Sequence, residues 1–265
     1  MKIRAPILAA ILIPAWLTGA AAQEALDALV AAYPDFLASH DDRELVWKDG
    51  THMAISDGRV NNTFDQLIDE PDIKDQFAIP YPLGAELKAP ALNEDPGRIR
   101  NEPFFLKMYG DCRKGEVGAR LKRVPWLPER GGTAVMATTV NNVADRLAEV
   151  SHALNQLSPD MTRYLVPSAG TFNCRPIAGT QRLSVHAFGA AIDLSSKFGD
   201  YWLWSGGKNG SVAWKNRLPA AIVEIFEAHG FIWGGKWYHY DTFHFEYRPE
   251  IIALAKQGWP TEGKQ

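Results

Sequence analysis

Residues Ala190-Ala191-Ile192-Asp193-Leu194 form a short apolar run with a single acid inside it. A carboxylate on a buried strand is costly unless a cation meets it, so this chain must fold in a way that brings one to Asp193. Just before the run lies Ser184-Val185-His186-Ala187-Phe188-Gly189, and far beyond it Asp241-Thr242-Phe243-His244-Phe245-Glu246. Two imidazoles and one carboxylate from two distant segments make a set of three protein ligands. Such a set leaves a fourth position open, as a hydrolytic rather than a structural zinc site requires. The alternation in Phe243-His244-Phe245-Glu246-Tyr247 predicts a strand that presents His244 and Glu246 on one side.

Each residue alone has an ordinary explanation. A lone histidine in an aromatic segment is usually a hydrogen-bonded core residue, and a lone aspartate after a strand is usually a turn former. The joint spacing points to a metal. His239 is a rival ligand near His244, but on a strand residues five apart face opposite sides. His229, at the end of an expected helix, reads as a partner of the helix dipole. His40, His52 and His152 have no acidic or cysteine neighbours at ligand spacing.

The pattern Ser-x-His-x2-Gly-x-Ala-x-Asp, followed by an acid, two residues and His, resembles the zinc peptidases of the VanY type. These include D-Ala-D-Ala carboxypeptidases and dipeptidases, and L-Ala-D-Glu endopeptidases. The resemblance spans roughly residues 104–250 and is specific at the two motifs. It implies a zinc ion held by His186, Asp193 and His244, with Asp241 as general base. Gly170-Thr171-Phe172-Asn173-Cys174-Arg175 is similar to the segment that carries the family's oxyanion-stabilising arginine, so the resemblance implies that role, or the binding of a substrate carboxylate, for Arg175. Glu246 and Ser184 are the groups expected to touch a ligand, Glu246 being also the alternative base. An aspartate rather than a glutamate before the last ligand is similar to the endopeptidase branch. The implied substrates are peptidoglycan stem peptides. The alternative is a non-catalytic, zinc-bearing binding module, since the hedgehog signalling domain shares this architecture; the acid at Asp241 and the guanidinium at Arg175 favour the enzyme.

Lys2 and Arg4, an apolar run to about Leu17 and then Thr18-Gly19-Ala20-Ala21-Ala22-Gln23 read as a secretory signal over residues 1–22, too short for a membrane span. The expected mature chain starts at Gln23 and is exported, periplasmic or secreted, with no transmembrane segment left. Losing the two basic residues takes the net charge from −3 to −5, and nothing suggests a nucleic-acid partner. In an exported chain the pair Cys112 and Cys174 favours a disulfide over two buried thiols. Such a bridge would bring the loop after Tyr109-Gly110 to Arg175.

At 265 residues and 46% apolar content the chain can bury a full core. The expected division is an extension over residues 23–103 and a zinc peptidase domain over residues 104–265. Apolar spacing predicts helices over 24–37, 142–157 and 218–229, the second capped by Asn141 or Asn142 and the last stopped by Gly230. Leu45-Val46-Trp47 and Met53-Ala54-Ile55 flank an Asp-Gly turn and predict a hairpin. Tyr164-Leu165-Val166-Pro167 is expected to be a strand. Residues 57–103 are irregular and expected to wrap the core rather than cap the cleft. The fold class is α+β: an antiparallel sheet flanked by helices, like the hedgehog and D-Ala-D-Ala peptidase zinc domains. The aromatic loop Phe198-Gly199-Asp200-Tyr201-Trp202-Leu203-Trp204 reads equally as a lid or as an anchor. Trp233, Trp237, Tyr238 and Tyr240 read as groove lining or as packing.

Overall fold

The structure, a computed structural model, describes residues 19–59, 63–206 and 212–260. Most of the expected export segment, residues 1–18, lies outside the described residues. Its last residues, Ala20 to Ala22, open helix α1 (Ala20–Ala32). Pro34 ends that helix earlier than its apolar spacing suggests, because proline cannot supply the next helical N–H and disfavours helix in the residue before it. The chain then forms an antiparallel sheet of β1 (Leu37–His40), β2 (Glu44–Trp47) and β3 (His52–Ala54). Strands β2 and β3 are the expected hairpin, with Leu45 opposite Met53; β1 carries no signal in the sequence.

Between residues 57 and 103 lies the short helix α2 (Phe64–Asp69), started by a capping box in which Thr63 and Gln66 exchange side-chain and backbone hydrogen bonds. Helix α3 (Glu102–Tyr109) follows, capped by Asn101. Strands β4 (Leu121–Val124) and β5 (Val135–Thr138) pair antiparallel ahead of α4 (Val143–Asn155). The stripe Val143, Leu147, Val150 and Leu154 of α4 is buried as its spacing requires. Neither asparagine caps it by a side chain: Asn141 and Asn142 both take left-handed backbone angles, and Asn141 Nδ2 instead donates to the Ala32 carbonyl at the end of α1.

Residues 164–167 are not a strand. Thr162–Leu165 is a single helical turn, α5, in which the Val166 N–H is spent on the Thr162 carbonyl, and Pro167 has no N–H for a ladder. Ala169 and Gly170 take that place instead, bonding to Asp193 on the edge of β6 (Ala191–Asp193). Helix α6 (Ala220–Ala228) ends at Gly230, which takes φ +90°, and His229 Nδ1 bonds the Ile225 carbonyl in its last turn. Strand β7 (Phe231–Trp233), strand β8 (His244–Tyr247) and helix α7 (Pro249–Gln257) are the last elements of the described residues.

The sheet that matters for the site is antiparallel, in the order β6-β8-β7. Its helix-facing side is sealed by Phe245, whose ring stacks on Phe226 of α6 at 3.8 Å between centroids. One buried apolar cluster runs from Leu29 and Tyr33 through Phe104, Phe105 and Phe188 to Ile192, Phe245 and Ile251. Tyr33 also donates to Glu250 of α7 at 2.9 Å. This mixed α+β architecture agrees with the expected class. No helix among the described residues is long and apolar enough to cross a membrane.

Candidate metal centre and substrate cleft

His186 sits in a tight 3₁₀ turn, Val185–Phe188, whose first N–H groups need a partner. Ser184 Oγ supplies it by accepting from the His186 N–H, and Gly189 closes the turn at φ +68°. Ser184 thus shapes the turn and also lines the cleft. The chain enters β6 directly and reaches Asp193, which the ladder pairs with His244 of β8. That register brings Asp193 Oδ1 to 2.9 Å from His244 Nδ1 and 3.2 Å from His186 Nε2, while the two imidazole nitrogens are 3.2 Å apart.

The other side of each ring decides which nitrogen is free. His186 Nδ1 contacts the Thr171 carbonyl, which can only accept, so that nitrogen carries the proton and Nε2 offers its lone pair. Glu246 Oε2 lies 3.3 Å from His244 Nε2, and a carboxylate there takes the Nε2 N–H and leaves the lone pair on Nδ1. Imidazoles whose far N–H is tied to a carbonyl and a carboxylate are the usual form of metal-binding histidines. Three donor atoms then converge with mutual spacings close to the roughly 3.3 Å that tetrahedral zinc imposes on ligands about 2.0–2.2 Å from it. His186, Asp193 and His244 can therefore hold a metal ion.

The electrostatics draw positive charge to the same point. Burial opposes protonation of His244, but hydrogen bonds to Asp193 and Glu246 prevail and push it up to about 10, so that a proton on Nδ1 fills the place between His244 and Asp193 that a bound cation would take. Burial would raise Asp193, yet its bonds to His186 and His244 hold it well below the usual carboxylate range. Burial also works against ionised Glu246; the charges of Arg100 and Arg248 and the bond to His244 bring it down to about 2. Asp241 behaves oppositely. Burial, with the nearby Asp193 charge, pushes it up to about 7 against the pull of His244 and Arg98.

His186, Asp193, Asp241, His244 and Glu246 line one cleft of about 350 Å³. Asp241 enters it from the turn at Gly234, whose carbonyl accepts the Asp241 N–H; a Cβ added at Gly234 would stand 2.6 Å from the Asp241 carbonyl. On its other side Asp241 bridges to Tyr201. Its Oδ1 is buried and has no hydrogen-bond partner among the described residues. Arg175 lies exposed at the rim, its Nη1 donating to the neighbouring Pro176 carbonyl. The expected disulfide is present, Cys112–Cys174, so the segment beside Arg175 is tied to the turn after α3. Glu246 is buried on the His244 face of β8, clamped by Arg100 at 3.3 Å and Arg248 at 3.6 Å.

One part of the cleft departs from the sequence expectation, and another divides between alternatives the sequence left open. Residues 57–103 do not merely wrap the core, because Arg98 and Arg100 reach the cleft from it. The signal for this is alternation: Ile99 is buried in a small apolar cluster with Leu67, Ile68 and Ile79, and the two arginines lie to either side of it in sequence. The aromatic segments divide. Trp233 and Tyr240 are core, whereas Trp202, Trp204 and Trp237 line the cleft, and exposed Trp204 stacks on Phe243. His239 is not in the ligand group; its backbone N–H and its Nδ1 are both held by buried Asp95.

Residues 178–247 match the family model described as D-alanyl-D-alanine carboxypeptidase. The match takes in both motifs, with His186, Asp193, Asp241, His244 and Glu246, and stops short of Arg175 and of everything before it. It bears out the resemblance to the VanY-type peptidases. Neither the curated proteins nor the solved structures contain a match to the chain.

Proposed function

From that family match and this geometry, we propose that the chain is an exported zinc metallopeptidase that hydrolyses peptide bonds in peptidoglycan stem peptides. The observation that carries the reading is the convergence of three lone pairs, on His186 Nε2, His244 Nδ1 and Asp193 Oδ1, beside an unpartnered carboxylate oxygen of Asp241. Zinc fits this donor set, and when bound it makes a water acidic and polarises a carbonyl. The remaining work belongs to the chain. Thr171 and Glu246 hold the two imidazoles in the tautomers that leave the correct nitrogens free. Asp241, whose Oδ1 has no competing donor, takes the proton of the attacking water and passes it to the leaving amine. A carboxyl raised toward 7 suits both halves of that transfer. Arg175, which lines the cleft at its rim, is assigned the stabilisation of the oxyanion that develops on the scissile carbonyl.

Export is supported by the Cys112–Cys174 bridge, a bond that persists in oxidising compartments. The division into an extension over residues 23–103 and a peptidase domain over 104–265 is part of the same proposal. The test is to measure zinc in the purified protein and to digest purified peptidoglycan, with fragments identified by mass spectrometry. About one zinc per chain and release of stem-peptide fragments are expected. Loss of a terminal alanine marks a carboxypeptidase and internal cleavage an endopeptidase. A zinc-loaded protein that releases neither overturns the reading.

A further inference from the structure

We infer that a second cavity, lined by Arg163, Ser195 and Lys197, binds a phosphate group carried on an apolar or ring-bearing body. The inference is independent of the peptidase reading. The cavity has a volume of about 400 Å³, within the roughly 300–1,000 Å³ of small-ligand pockets, and shares no lining residue with the cleft that holds His186 and Asp241. Its walls come from residues 166–169, which follow α5, and residues 195–198, which follow β6. Backbone bonds tie the two walls together. The Ser195 N–H donates to the Tyr164 carbonyl, and the Ala169 N–H to the carbonyls of Asp193 and Leu194. The cavity is thus built into the edge of the site-bearing sheet.

Charge and hydrogen bonding define the ligand. Arg163 and Lys197 lie 5.8 and 5.7 Å from the centre of the Phe198 ring, so one side chain gathers both cations. Arg163 Nη2 donates to the Tyr164 hydroxyl, and neither cation has a carboxylate partner among the described residues. Arg217 is a different case: it is paired with Asp200, and its Nη1 donates to the Lys197 carbonyl and holds that backbone in place. Ser168, Ser195 and Ser196 add three hydroxyls to the lining. Ser195 is the informative one. It is 4% exposed and stands ahead of the 3₁₀ turn Ser196–Phe198, yet its side chain makes no cap hydrogen bond and has no other partner among the described residues. A buried hydroxyl without a partner is costly, and an acceptor in the cavity would relieve it. A phosphate presents three strong acceptor oxygens, enough to engage both cations and a hydroxyl at once, where a carboxylate presents two. Val166, Pro167 and the Phe198 ring are the apolar part of the lining and suit the body that carries the phosphate. Arg163 and residues 166–169 lie before the residues matched to the family.

The test titrates phenyl phosphate into the purified, full-length protein by calorimetry, with phenol as the uncharged analogue. Phenyl phosphate should bind at one site per chain, about 10-fold or more tightly than phenol, the scale of one charge-assisted hydrogen bond. Arg163→Gln and Lys197→Gln should each weaken it by about 10-fold. Ser195→Ala should weaken it about 3-fold or more with the melting temperature unchanged, because the hydroxyl it removes bonds nothing inside the chain. Absence of binding up to about 10 mM overturns the inference. So does binding that survives in the Arg163→Gln, Lys197→Gln double variant, and so does binding lost in His186→Ala, which would put the anion in the metal cleft. Two sources of the phosphate are separated by sedimentation with phosphatidylglycerol vesicles. Co-sedimentation that the double variant loses identifies a lipid headgroup, and binding of phenyl phosphate without co-sedimentation identifies a soluble phosphate ester.

Discussion

Two carboxylates next to the imidazole pair, Asp241 and Glu246, compete for the role of base, and their surroundings predict opposite costs for removing them. Asp241 Oδ1 is buried without a partner. Replacing this residue with asparagine relieves a desolvated acid, so the folded state should be as stable as before or more so. Turnover should nevertheless fall by about 100-fold or more, equivalent to roughly 2.7 kcal/mol or more of barrier, because the proton loses its acceptor. Glu246 is a different case. It is 1% exposed and lies between Arg100 and Arg248, themselves 9% and 0% exposed, while it accepts from His244. Glu246→Gln leaves two buried guanidinium groups with one fewer anion, Glu250 serving only Arg248. Breaking a buried pair in this way costs about 3–5 kcal/mol. Urea unfolding of both variants and cleavage of stem peptides by both settle the matter. If Asp241→Asn cleaves at the wild-type rate while Glu246→Gln is inactive yet fully stable, the roles are reversed and the argument from burial fails.

Other outcomes follow from the same contacts. His186→Ala and His244→Ala should each lose zinc together with activity; full occupancy in either variant, measured by elemental analysis, removes that residue from the ligand set. Replacing Cys112 and Cys174 by serine opens a closure between residues 62 apart, and chain entropy sets the loss at about 4 kcal/mol, read by thermal or urea unfolding; a loss under about 1 kcal/mol would mean that the bridge constrains little. Asp95 supplies a pH dependence. Burial would raise its carboxyl, but the Arg98 charge and the bonds from His239 hold it below its ordinary value. A depressed folded-state pKa adds stability above the unfolded value of about 3.9, and that stability is lost as pH falls through the folded value. Thermal midpoints between pH 6 and pH 3 should therefore fall more steeply in the wild type than in Asp95→Asn, and parallel curves would contradict the ion pair.

The candidate metal centre is legible in the sequence because its constraint is local and severe. An acid in the middle of Ala190-Ala191-Ile192-Asp193-Leu194 demands a cation whatever the rest of the fold, and the two-residue period of a strand is enough to put Glu246 on the face of His244. The hairpin at Lys48-Asp49-Gly50 and the stripe on α4 are legible for the same reason, since each depends on residues a few positions apart. The fold departs from expectation where local preference is overruled. Tyr164-Leu165-Val166 has strand composition, yet the Val166 N–H completes a helical turn and the edge of β6 is filled by Ala169 and Gly170 instead. Pro34 cuts short a helix that apolar spacing alone would extend.

What spacing cannot reveal is which distant charges meet. Arg100 and Glu246 are 146 positions apart, yet they form the pair that keeps an acceptor fixed against His244 Nε2. Arg100 alone reads as an ordinary surface charge. Only the meeting of the two, with Arg248 beside them, explains why a carboxylate on a fully buried strand stays ionised. The proposed extension is therefore part of the centre in physical terms. Arg100 holds Glu246, Glu246 sets the tautomer of His244, and that tautomer leaves the Nδ1 lone pair for the point on which His186 Nε2 and Asp193 Oδ1 also converge. A chain lacking the Arg98-Ile99-Arg100 segment would retain both sequence motifs and still leave Glu246 without one of its two buried cations.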